Sequence, residues 1–357
     1  MRISKEKLKN FGFNTLNTVL PVVLALVIGA VGIIVAKKNP LLTYWTLFSK
    51  SLLNYNGLMK TLHNAAPLIL TGLAIAVSFK AGLFNMGVEG SLLVAGFSTA
   101  VLGYKLQNLP SGILIPFLLI SAILVGMLVS LVPALLKAYF NVNEMVVTLL
   151  LNYAIMEILE YLTSNVFRNP ASGYVSTHTI GQNAIFPWLG STKITAFFFV
   201  AIIVFVIMYI VFKHSKLGFE IEAMGKNVLF SEATGMNVRK KVIVIMLLSG
   251  AIAGIAGAGW MMSEKYSYTL SFSGNPGLGW DGMLISLLGA HDPVGIIIAA
   301  IFYAALKVGS HSIAVFTQVP SEIVSVIQAL IILLLSIKFI QKKVTKQKEK
   351  YLQEENK

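Results

Sequence analysis

Cysteine is absent from the 357 residues, so no disulfide frame, thiol nucleophile or thiolate metal site is available. Charge is scarce too. Only 12% of residues are Asp, Glu, Lys or Arg against 56% apolar, and the mean hydropathy is +0.78. So few charges cannot cover a soluble globule, which leaves a polytopic membrane protein. Acids are the scarcer sign, 15 against 28 bases. A Gly-xxxx-Gly-Lys-Ser/Thr phosphate loop is missing, so the chain is not expected to hydrolyse ATP alone. His63, His178, His214, His291 and His311 are scattered without paired-ligand spacing, which argues against a metal site.

The excess of positive charge is concentrated. Residues 1–15, 213–241 and 338–357 hold 17 of the 28 Lys and Arg. These short segments flank apolar runs, a distribution that fits the positive-inside rule rather than nucleic-acid binding. It predicts a basic cytoplasmic lead over 1–15, a membrane domain over 16–341, a cytoplasmic loop over 213–241 and a charged cytoplasmic tail over 342–357. The first apolar run, Leu16–Ala36, is long enough to span and has no small-residue cleavage pattern after it, so it reads as an anchor rather than a cleaved signal.

The following apolar runs read as spans at Leu62–Phe79, Ala81–Leu102, Gly112–Leu136, Met145–Leu162, Ile194–Phe212, Val242–Met262 and Ile323–Ile340. Residues 37–61, with Tyr44, Trp45 and Tyr55, read as an amphipathic interfacial segment. Between Gly282 and Ser310 the pattern is interrupted by His291-Asp292-Pro293, and a proline there ends or kinks a helix. Parity of crossings makes this stretch two passes or a broken, partly re-entrant pair. The fold class is all-α, a polytopic membrane bundle of about ten transmembrane elements.

Within the apolar runs a few polar residues stand out. Residues 72–96 carry Lys80, Asn85 and Glu89 among Gly82, Gly87 and Gly90. An ionisable group at membrane depth costs about 2.5–3.5 kcal/mol on insertion scales, so such groups are usually paired or used. Glu89 either ties helices together or faces a path, Lys80 reads as an interfacial snorkelling residue, and Asn85 and Asn152 have the chemistry to hydrogen-bond a ligand or a neighbouring helix. Gly250, Gly254 and Gly257 form a small-residue seam for close helix packing. In 213–241, Asn227–Thr234 reads as two turns of helix exposing Leu229 and Phe230. A weak echo links residues 82–103 with 279–301, each placing an acid and glycines inside an apolar run, as in transporters built from repeats.

Four ordered blocks carry a resemblance: GLAIAVSFKAGLFNMGVEGSLLVAG, NYAIMEILEYL followed by RNP, AMGKNVLFSEATGMNV with SGAIAGIAGA, and GWDGMLISLLGAHDPVGIIIAAIFYAAL. Over roughly Leu62 to Leu335 the chain resembles permease subunits of ABC importers, in the nucleoside branch related to ribose and branched-chain amino acid permeases. The resemblance implies a transport subunit, not an enzyme, importing nucleosides by alternating access, with a ribose-like sugar as the alternative cargo. It implies a separate cytoplasmic ABC ATPase that spends the ATP, a second permease (homologous or identical), an extracellular binding protein, and no cofactor on this chain. The setting is a prokaryotic cell membrane with both termini cytoplasmic. Carried over by position, Glu222, Gly225, Asn227, Ala233 and Gly235 fall in the ATPase-coupling element, and Asn85, Glu89, Asn152, Trp280 and Asp281 near the substrate path; Tyr153 joins them for its chemistry, an aromatic able to stack on or hydrogen-bond a ligand. The residues alone also admit an ion-coupled secondary transporter using Glu89 and Asp292. No constellation of acids or histidines supports a membrane-embedded enzyme.

Overall fold

A computed structural model describes residues 27–317 except 32, 36, 191 and 271–276, together with 326 and 329. The basic lead, the tail, the last expected span and most of the first lie outside the described residues. The described chain is helical, with β-pairing limited to isolated bridges such as Arg168 with Thr177. It separates into two compact units, Met1–Thr61 with Ala305–Lys357, and Leu62–Ala304.

In the first unit, α1 (Pro40–Phe48) starts with Asn39 accepting from Leu41 N–H at 3.0 Å and a proline at its first position. A π-helical turn, Ser49–Leu53, follows. There the Thr61 hydroxyl donates to the Ser51 carbonyl at 3.0 Å, and Gly57 lies so close to the Lys50 carbonyl that a Cβ would collide.

The second unit holds most of the helices: α2 (Tyr55–Lys80, entering from the first unit), α3 (Val88–Lys105), α4 (Ser111–Phe140), α5 (Glu144–Tyr161), α6 (Phe197–His214), α7 (Lys216–Lys226), α8 (Val228–Ala233), α9 (Val238–Trp260), α10 (Leu278–Leu288) and α11 (Pro293–Thr317, leaving into the first unit). α9 is the hub, packed along α4 and α3. Its glycine seam makes this possible. Gly250 meets the Gly126 backbone, Gly254 the Ala122 carbonyl and Gly257 the Leu92 carbonyl, each too close for a Cβ. The outward side of α4 presents Ile113, Phe117, Ile120, Leu124 and Leu128 at helical spacing, as a lipid-facing stripe would.

Six described helices are long and apolar enough to cross a membrane, seven if Val27–Val35 and Pro40–Leu53, bent by 118°, form one span. Two expectations shift. The span expected from Ala81 begins only at Val88, because residues 81–87 turn back with Gly82 at φ +78°. The stretch from Gly282 is broken as expected. α10 is only 11 residues long, Ala290 and His291 both take φ +56°, and Pro293 opens α11.

Candidate functional site

The turn 81–87 and the start of α3 are held by a largely buried polar network with members on α2, α4, α5 and α9. Phe84 N–H donates to Glu144 Oε1 at 3.1 Å, and Glu144 pairs with Lys137 Nζ at 3.0 Å. Asn85, wholly buried, donates from Nδ2 to Ser249 Oγ at 3.0 Å and accepts from Gly87 N–H at 2.9 Å. Ser249 passes its own proton to the Ala74 carbonyl at 2.7 Å. From α5, Thr148 Oγ1 accepts from Met86 N–H at 3.1 Å; Asn152 accepts from Gly90 N–H at 3.0 Å and donates to the Met86 carbonyl at 2.8 Å.

Glu89, 1% exposed, turns the other way. Its two carboxylate oxygens accept from the backbone N–H groups of Gly277 and Gly279. A carboxylate at this end of α10 faces the positive end of the helix dipole and satisfies donors the helix leaves unpaired. Gly279 has to be small, because a Cβ would sit 2.6 Å from Glu89 Oε2. Asp281, on the same first turn of α10, accepts from the Tyr303 hydroxyl of α11 at 2.6 Å. Trp280 beside it is half-buried.

The loop elements α7 and α8 are each built from a side-chain cap. Ser215 accepts from Gly218 N–H at 3.1 Å, and Asn227 accepts from Phe230 N–H at 3.0 Å. Gly235, at φ +85°, closes the segment before α9. α7 is anchored by Glu220 to Lys241 at 2.6 Å, with the pair largely shielded. Its Gly225 lies against the Lys80 carbonyl at the end of α2, where a Cβ would overlap the backbone. Lys80 itself extends over the Phe212 ring, 4.8 Å from its centroid. The outer side of the loop is apolar, with Phe219, Leu229 and Phe230 each two-thirds or more exposed. Glu222 pairs with Lys226 at 2.8 Å, and that hydrogen bond holds its carboxyl below the usual range. Asp292, in the α10–α11 turn, pairs with Lys213 at 2.6 Å. Burial pushes the Asp292 carboxyl up, but the Lys213 ammonium outweighs it and the net shift is downward.

A family model described as branched-chain amino acid transport system / permease component matches residues 57–336. The chain belongs to this permease family. It is 36% identical over 297 residues to the guanosine ABC transporter permease protein NupP of Bacillus subtilis (strain 168), covering 80% of this chain and 84% of that one. It is 31% identical over 330 residues to the nucleoside ABC transporter permease protein NupB of Lactococcus lactis subsp. cremoris, covering 90% of both. To the glucose ABC transporter permease protein TsgB13 of Haloferax volcanii it is 32% identical, covering 89% and 86%. No solved structure matches the permease.

The permease is a multi-pass membrane protein and a transport subunit. Its fold gathers Asn85, Glu89 and Asn152 around one backbone turn and sets Trp280 and Asp281 on the helix end that Glu89 caps. Tyr153, next to the buried Asn152 on α5, is 60% exposed. Glu222, Gly225, Asn227, Ala233 and Gly235 all fall in or beside α7 and α8. Sequence reasoning missed Thr148, Ser249 and Glu144 as network members. Thr148 was findable, since it precedes Asn152 by four residues and so shares its helix face. Among the described residues no three His, Asp or Glu side chains are grouped as a metal site would require.

Proposed function

We propose that this permease imports nucleosides, as one of two permease subunits served by a separate ABC ATPase and an extracellular binding protein. The observation that carries the substrate class is the match, over 80% and 90% of the chain, to two relatives named for guanosine and nucleosides. The ATPase docks on α7 and α8, where Phe219, Leu229 and Phe230 stand exposed on a capped, anchored scaffold. This loop and both termini face the cytoplasm of a prokaryotic cell in this reading, and the basic segments 1–15, 213–241 and 338–357 support the cytoplasmic side through the positive-inside rule. The chain binds no cofactor or metal of its own, and ATP is spent by the partner. Closure of the ATPase moves α7, and through Gly225 the end of α2, the turn carrying Asn85 and the start of α3 with Glu89. Access then alternates along a path bordered by that turn and by Asn152, Tyr153, Trp280 and Asp281.

The relative named for glucose supports a second reading, a simple-sugar permease. Uptake of radiolabelled guanosine and adenosine decides between them, measured in cells lacking the gene and in complemented cells with excess unlabelled glucose, ribose or leucine. Nucleoside uptake that depends on the gene and ignores the competitors supports the proposal. Unchanged nucleoside uptake with gene-dependent sugar uptake overturns it.

A further inference from the structure

The end of the bundle away from α7 holds a basic cleft that the transport reading does not use. Two observations set its depth. The start of α3 adjoins the turn 81–87, next to Gly225 of α7. α3 then runs 18 residues to Lys105, about 27 Å at the usual helical rise, close to the thickness of a bilayer core. α5 also starts at that turn, through Glu144, and ends in a π-helical turn at Val166. The cleft between the far ends of α3 and α5 therefore lies at the opposite membrane interface.

This cleft has a volume of about 270 Å³, and its lining includes Val101, Tyr104, Lys105, Phe167, Arg168 and His178. Tyr104 and His178 stack with centroids 4.3 Å apart and planes within 10°, making a flat wall. The Lys105 ammonium sits 5.7 Å from the Phe167 ring centroid. Among the described residues neither Lys105 nor Arg168 has a carboxylate partner. Lys105 on its own is explained by the negative end of the α3 dipole. Arg168 is not, because it stands beyond the π-helical turn in a bridged, non-helical segment. Beside the two cations the floor is apolar, and Val166 at the rim is 57% exposed.

Two cations with no carboxylate partner among the described residues, over an apolar floor at an interface, match the phosphate and acyl chain of an anionic phospholipid. We infer that this cleft binds the phosphoryl headgroup of an anionic lipid in the leaflet opposite α7 and α8. Arg168 engages the phosphate as a fork, Lys105 as a point charge, and one chain lies along Val101 and Val166. A free phosphate shares the headgroup chemistry but has no use for the apolar floor.

The test is native mass spectrometry of the assembled transporter, delipidated and titrated with phosphatidylglycerol, phosphatidylcholine or inorganic phosphate. Phosphatidylglycerol is expected to bind more tightly than phosphatidylcholine. Lys105→Gln and Arg168→Gln should each weaken it about fivefold, from roughly 1 kcal/mol per basic residue near an anionic surface. The pair Lys105→Arg with Arg168→Lys should retain it, which separates charge from misfolding. Equal binding of the two lipids, or glutamine variants that bind like the parent, overturns the inference. Equally tight binding of inorganic phosphate with the same variant sensitivity also overturns it, in favour of a free anion. So does loss of binding-protein-dependent uptake in the glutamine variants with lipid binding unchanged, which assigns the basic pair to a protein contact.

Discussion

Gly225 of α7 rests on the Lys80 carbonyl, with no room between them for a methyl group. The contact is backbone on backbone, so neither side can yield by changing a rotamer. Lys80 ends α2, and the next seven residues form the turn whose groups bond to α5 and α9. A displacement of α7 would reach the polar network through this steric contact, beside the Glu220–Lys241 pair that ties α7 to α9.

The first prediction tests that contact. Gly225→Ala forces α7 off the end of α2 at a cost of about 1–3 kcal/mol, typical of overpacking, and uptake should fall at least tenfold while the protein still inserts. Gly235→Ala is the comparison. It strains a backbone at φ +85° by about 1–2 kcal/mol, but its Cβ meets nothing within 4 Å. Uptake and membrane abundance measured together check this. Parental uptake by the Gly225 variant would remove the contact from the coupling route.

Glu89 is predicted to be an anchor rather than an ion-coupling site. Its carboxylate is committed to two backbone N–H groups at the start of α10. In Glu89→Gln an amide NH2 must face one of those donors, which costs about 1–3 kcal/mol for the orphaned group. The variant should melt lower than the parent. Parental uptake should persist when a protonophore collapses the proton gradient with ATP held constant. Uptake that stops with the gradient would return Glu89 to the ion-coupled reading.

Asn152 and Tyr153 are neighbours on α5 with opposite surroundings. Asn152→Ala orphans the Gly90 N–H and the Met86 carbonyl, both bonded to it now, and should destabilise by about 1–3 kcal/mol. Tyr153→Ala, at an exposed position, should stay within about 0.5 kcal/mol of the parent. Thermal melting of the two purified variants checks the pair. If loss of Tyr153 abolishes uptake at unchanged stability, its exposed face belongs to the substrate path.

Much of this was legible in the sequence because hydropathy and punctuation act locally. The glycine seam at 250, 254 and 257 announced close packing, and Asp292-Pro293 announced the break that became the α10–α11 turn. The same reasoning failed at Ala81, where an unbroken apolar count hid a turn that Gly82 permits and Glu144, Thr148 and Asn152 hold from more than fifty residues away. Pairings over such distances depend on how helices dock, and no local pattern encodes docking. Glu89 was visible as a buried acid, but the backbone N–H groups of Gly277 and Gly279 that it accepts from have no side-chain signature.

The Asp292–Lys213 pair predicts a pH dependence. Asp292 has its carboxyl held below the ordinary value of 3.8. Its contribution is therefore fully present above that ordinary value and is lost as pH falls through the lower folded value. Asp292→Asn should melt below the parent at pH 7, by no more than the 0.2–1 kcal/mol or so of a partly exposed pair. The gap should close once the pH is well below 3.8. A gap that stays constant down to pH 3 would count against the charge as its source, since Asn keeps an oxygen able to accept from Val294 N–H as Asp292 Oδ2 does at 3.2 Å.

The docking proposed for α8 gives the last prediction. Leu229 and Phe230 are 77% and 66% exposed on a helix of six residues that cannot hold itself together by length. Asn227 caps it at one end, and the Ser231 hydroxyl donates back to the Asn227 carbonyl at 2.9 Å. If these two side chains fill a pocket of the ATPase as proposed, an anchor of that kind is worth about 2 kcal/mol or more in an interface. Phe230→Asp should therefore weaken co-purification of the ATPase about thirtyfold or more and abolish uptake, with the permease still inserted. Asn227→Ala should act in the same direction but less strongly, because it removes the cap and leaves the anchors in place. Undiminished ATPase binding by both variants would move the docking surface away from α8.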